Sequence, residues 1–192
     1  MSTENTVLMR MARKSLEGKW ALAIGTFVVY VLLTGSAGSM GASGSIISLL
    51  VAGPFTLGAA IFSLSISRSK EARLEQIFQG FNRFTTALVA YLLVVLYIIL
   101  WTLLLIVPGI IAALSYSMTF YILADEPAIK AEDALRKSKA MMDGYKLKLF
   151  YLCLWFFLLA LLCVLTLGIG FLWFIPFVNV TMAKFYDDIK RD

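Results

Sequence analysis

Three long runs of this chain contain no Asp, Glu, Lys or Arg: Trp20–Ser67, Phe84–Ala124 and Leu149–Ala183. A bilayer core takes about 20 apolar residues per helical crossing. Each run is long enough for two crossings joined by a short turn, which predicts six transmembrane helices. The chain is 60% hydrophobic, against roughly 45–50% for soluble domains. Because the excess is gathered into charge-free runs, an oversized soluble core does not explain it. The expected fold class is all-α, a polytopic membrane protein.

The six crossings fall at Ala21–Leu33, Ser45–Ser67, Phe84–Ile106, Ile110–Ala124, Leu149–Thr166 and Phe171–Tyr186. Their turns are Thr34–Ser45, Val107-Pro108-Gly109 and Leu167–Gly170. Pro108 cannot continue the preceding helical ladder, and Gly109 tolerates unusual backbone angles. The polar segments between the runs are patterned. Val7, Leu8, Met11 and Ser15 share a helical spacing, as do Leu74, Ile77, Phe78 and Phe81. Asp125-Glu126-Pro127 stops the fourth crossing, and an amphipathic helix follows over 130–142. Such helices lie in the plane of the membrane surface. The basic lead before Ala21 and the small residues after Leu33 also describe a signal peptide.

An internal repeat argues instead for a retained first helix. SLEGKW (Ser15–Trp20), FQGFNRF (Phe78–Phe84) and MDGYKLKLF (Met142–Phe150) each end an amphipathic segment at a Gly. The glycines are Gly18, Gly80 and Gly144; a cation and an apolar helix follow each. Pro54, Pro108 and Pro176 then recur near the second helix. The whole of 1–192 reads as one integral membrane domain with repeats at about 5–67, 68–124 and 130–188. Each unit crosses twice, so the three helical hairpins are parallel repeats about an axis along the membrane normal.

All 17 cations and all 12 acids fall in four segments, 1–19, 68–83, 125–148 and 184–192. Six crossings put these on one side, and the positive-inside rule makes that side cytoplasmic, with both termini there. The net charge of +5 would suggest nucleic acid in a soluble protein; here the cytoplasmic bias accounts for it, and no nucleic-acid partner is expected. The absence of histidine removes Ser-His and Cys-His nucleophile pairs and the usual pH switch. Cys153 and Cys163 are ten residues apart on one helix, off a common face, and read as apolar filler. No metal or cofactor is implied.

No ionisable residue falls near a crossing's midplane, which argues against a pump built on a buried carboxylate. The even-numbered crossings carry the polar groups: Ser63, Ser65 and Ser67, then Ser115, Ser117 and Thr119, then Asn179 and Thr181. Ser63, Ser117, Thr119 and Asn179 are candidates for a polar seam. The alternative is helix–helix hydrogen bonding, with Gly53, Gly58, Ala59 and Ala60 allowing close approach. Asp125 and Asp187 close two even crossings at equivalent positions and read as helix-end residues. Two basic clusters remain: Arg10, Arg13, Lys14 and Lys19, and Arg136, Lys137, Lys139, Lys146 and Lys148. Such clusters attract anionic lipid at roughly 1 kcal/mol per cation; they also serve to set orientation alone.

The stretches VPGIIAALSYSMTFYILADEP (Val107–Pro127), ALRKSKAMMDGYKLKLF (Ala134–Phe150) and LGIGFLWFIPFVNVTMAKFYDDI (Leu167–Ile189) resemble the family called domain of unknown function 975. They are also similar to a membrane domain found fused to glycerophosphodiester phosphodiesterases. The resemblance implies a multi-pass protein of the bacterial cytoplasmic membrane and transfers no catalytic residues. The expected function is a non-enzymatic module that binds anionic lipid or a partner protein at the cytoplasmic face, with homo-oligomerisation open. The alternatives are a channel, transporter or lipid-translocating protein with a hydroxyl-lined seam, and an enzyme on lipid headgroups with Asp125, Asp143 and Asp187 converging.

Overall fold

Alternation between apolar and amphipathic segments becomes, in the computed structural model, a succession of helices. The structure describes residues 3–38 and 41–191. Its elements are α1 (Asn5–Leu16), α2 (Trp20–Gly38), α3 (Gly41–Ser67), a 3₁₀ helix (Leu74–Arg83), α4 (Phe84–Leu104), α5 (Ile106–Tyr116), α6 (Thr119–Asp125), α7 (Ala131–Met141), α8 (Lys146–Leu165) and α9 (Phe171–Ile189). The turn expected at Thr34–Ser45 is shorter than its sequence suggests: α2 and α3 take most of it, and residues 39 and 40 lie outside the described residues. Among the described residues, four helical stretches are long and apolar enough to cross a membrane, or five if α1 and α2, bent by 99°, count as one.

The hub is α3, which packs against α2, the 3₁₀ helix, α4, α6 and α9. It lies antiparallel to α2, with Phe27 and Phe62 edge-to-face at 5.9 Å and Tyr30 and Phe55 at 6.4 Å. α4 and α5 form a hairpin broken at Leu105, with Tyr97 stacked on Tyr116 at 5.5 Å. α1 buries Leu8, Ala12 and Leu16 and packs on α9. Its inward stripe is therefore shifted from the expected one, leaving Val7 and Met11 exposed.

α1 turns 99° from α2, whereas the 3₁₀ helix folds back along α3. A Cβ on Gly58 would sit 1.8 Å from the Ile77 carbonyl oxygen, and one on Gly80 1.9 Å from that of Pro54. The 3₁₀ helix thus lies directly on the backbone of α3, at a point 14 residues, or about 21 Å of helix, from Arg68. On the other flank, Lys139 and Lys146 line one cleft with Trp101, Pro108 and Ile111. The six-crossing layout puts Pro108 and Lys146 at opposite faces of a hydrocarbon core about 30 Å thick. Both arms of the hairpin, Leu74–Leu104 and Ile106–Asp125, are long and apolar enough to cross a membrane among the described residues. Hydropathy counts apolar residues; it does not see glycines that let a polar segment's apolar stripe dock.

The repeats are built differently too. Gly18 and Gly144 turn the chain at φ +74° and +81°, whereas Gly80 serves close approach. Pro54 lies inside α3 and Pro176 inside α9, while Pro108 is the third residue of α5. The α8–α9 turn agrees with expectation. Every backbone N–H from Thr166 to Phe174 is donated to an acceptor within the chain, that of Gly170 to the Thr166 hydroxyl. Such a turn needs no water to satisfy its donors.

Candidate functional site

The four polar segments, scattered along the sequence, meet through their side chains. Arg68, just past α3, bridges the ends of α6 and α9: it donates to Asp125 and, from Nε at 3.0 Å and Nη2 at 2.7 Å, to Asp187. Asp187 also accepts from Ser67 Oγ at 2.9 Å, and Asp125 accepts from the Tyr186 hydroxyl at 3.1 Å and from Lys190. The bond to Asp125, with Asp187 adding to it against the opposing effect of burial, pushes the Arg68 pKa up. Arg68 holds two acids and stays charged, so the arrangement is a structural clamp. Asp143 pairs instead with Lys146 at 3.5 Å, so the three acids posed for headgroup chemistry do not converge.

A second clamp ties the N-terminal segment to α8 and α9. Lys148 Nζ lies 2.6 Å from Asp188, which also accepts from the Thr3 backbone N–H, and Asn5 Nδ2 donates to the Lys148 carbonyl at 2.8 Å. Burial alone would raise the Asp188 pKa; Lys148 and Thr3 outweigh it and hold the carboxyl below the ordinary range. Arg83 donates to the carbonyls of Leu123 and Ile129 at 2.6 and 3.1 Å, capping the end of α6.

The seam candidates are brought together in part. Tyr121 on α6 stacks on Tyr186 of α9 at 5.9 Å and donates to the Asn179 carbonyl at 3.3 Å, and α3 packs against both helices. The polar groups themselves turn inward on their own helices. Ser63 donates to Ala59, Ser117 to Leu114, Thr119 to Tyr116 and Asn179 to Ile175, at 2.7, 2.8, 2.7 and 2.9 Å. Ser63 and Thr119 are fully buried. These side-chain to backbone bonds are those of helix packing.

The family model described as "Protein of unknown function (DUF975)" matches residues 1–113 and 102–192. The chain belongs to this family. No curated protein and no solved structure matches it. The DUF975 description carries no activity, so the residues must carry the functional reading.

In this DUF975 chain the basic clusters divide into spent and free cations. Lys137 pairs with Glu126, Lys146 with Asp143 and Lys148 with Asp188, and Lys19 donates to the Lys70 carbonyl at 3.2 Å. Arg10, Arg13, Lys14, Arg136 and Lys139 are exposed and make no hydrogen bond or ion pair among the described residues. Neighbourhood in the sequence groups all nine and gives Arg68 no prominence. A signal was available: Arg68, Asp125 and Asp187 each close an even-numbered crossing, and one cation with two acids at equivalent ends invites a bridge.

Proposed function

We propose that this protein is a non-enzymatic integral membrane module that holds anionic lipid against the basic faces of α1 and α7, with both termini and all its charge on the cytoplasmic side. The observation that carries the reading is the set of free cations. The fold pairs Arg68, Lys137 and Lys148 with acids of its own, yet leaves Arg10, Arg13, Lys14, Arg136 and Lys139 open on two amphipathic helices. On α1 the exposed Val7 and Met11 share a face with Arg10 and Lys14. Apolar chains beside cations suit the boundary between headgroups and hydrocarbon.

The test is lipid enrichment around the full-length protein in nanodiscs of mixed phosphatidylglycerol and phosphatidylcholine. Wild type is expected to enrich phosphatidylglycerol, and the enrichment should fall as salt is raised. Changing the five free cations to Gln should remove it. Equal enrichment in wild type and variant would overturn the proposal.

A further inference from the structure

Among those cations, two sit beside a cleft with a built interior. Two adjoining clefts run between the α4–α5 hairpin and the α7–α8 junction and share Trp101, Tyr116 and Lys139. One end is floored by Pro108, Ile111 and Ala112 and rimmed by Lys139 and Lys146. The other runs past Tyr97, which stacks on Tyr116, to Arg136 and Glu132. Three cations thus meet two acids, Glu132 and Asp143, and of the three only Lys146 makes an ion pair, with Asp143 at 3.5 Å. Trp101 is 44% exposed, a large ring left open at the mouth.

We infer that this cleft is the seat of one anionic phospholipid, its phosphate held by Arg136, Lys139 and Lys146 and its first acyl segment laid over Pro108, Ile111 and Ala112. The inference rests on the lipid-binding reading and gives it an address. Charge complementarity selects an anion, because the cluster has an uncompensated positive balance. The floor selects a lipid over free phosphate: phosphate would satisfy the cations and leave the apolar floor uncovered, whereas an acyl chain covers it. Trp and Tyr favour the headgroup level, where one side is apolar and the other wet.

Native mass spectrometry of the full chain with phosphatidylglycerol tests this. The double variant Arg136→Gln, Lys139→Gln should weaken retention of the tightest lipid about thirtyfold, the loss expected for two cations near an anionic headgroup. Trp101→Ala should weaken it as well, while the α1 variant Arg10→Gln, Arg13→Gln, Lys14→Gln should leave that lipid bound. All these side chains are exposed, and unfolding midpoints will show that the variants fold. If the α1 variant loses the lipid and the cleft variants keep it, the cleft is refuted and the lipid-binding reading stands. If none of the variants changes retention, both fall. Competition with inorganic phosphate separates the sources: no displacement is expected, and displacement would make the site a phosphate site and overturn the proposal.

Discussion

Ser138 shows how much a single small side chain can hold. The helix breaks between α5 and α6, which leaves the Ser115 carbonyl and the Met118 N–H available. The buried hydroxyl of Ser138 donates to the first at 2.8 Å and accepts from the second at 3.2 Å. Ser138→Ala is expected to lower stability by about 1–3 kcal/mol, because two buried backbone groups lose their partner. Unfolding in mild detergent measures this; a shift no larger than that of an exposed control such as Ala140→Ser would contradict it. The sequence marks Ser138 only as a polar residue on α7's apolar face, alongside Ala131, Ala134 and Leu135. It does not reveal the partner, which depends on a helix break in another segment. Asp188 sets a pH dependence. Its pKa is lowered in the fold, so its contribution is fully present above the ordinary carboxylate range and is lost as pH falls through the lowered value. The stability gap between wild type and Asp188→Asn should therefore close at acid pH; a gap independent of pH would refute the clamp.

Elements dock here through glycine and are locked by charge. Gly80→Ala must push the 3₁₀ helix off α3, since its Cβ would meet the Pro54 carbonyl, whereas Gly25→Ala meets nothing within 4 Å. Loss of folded protein in the first and tolerance of the second is the expected pattern, read by size-exclusion of the detergent-solubilised chain. Arg68→Met removes the cation shared by Asp125 and Asp187, though Asp125 keeps Lys190; in this part-buried setting the cost should exceed the roughly 1 kcal/mol of an exposed pair and fall below the about 3–5 kcal/mol of a fully buried one. Arg73→Met removes only an exposed pair with Glu71, worth at most about 1 kcal/mol. Most helices were legible in the sequence, because charge-free runs and the i, i+3, i+4, i+7 stripe of 74–81 specify them locally. Their arrangement was not. Whether a polar segment lies below its neighbour or along it depends on backbone approach at Gly58 and Gly80, which no periodicity records.

At the scale of the whole molecule, the sequence's strongest statement concerned charge. Segments 1–19, 68–83, 125–148 and 184–192 are joined in the fold by Lys19–Lys70, Arg68–Asp125, Arg68–Asp187 and Lys148–Asp188 contacts. These contacts suit the proposed one-sided arrangement, in which charge is excluded from hydrocarbon wherever it falls in the chain. The count of crossings is less legible: by length and hydropathy the described residues hold four candidate spans, or five with the bent α1–α2 pair. Cysteines placed at Arg10 and Arg191 in a Cys153→Ser, Cys163→Ser background should react with an impermeant maleimide from the same side of native vesicles; reaction from opposite sides would break the one-sided reading. The most direct measurement is native mass spectrometry of the protein extracted gently from its own membrane. The expected result is an anionic phospholipid retained at fixed stoichiometry. A chain that emerges bare, or with lipids merely in bulk proportion, would contradict the role proposed for its free cations.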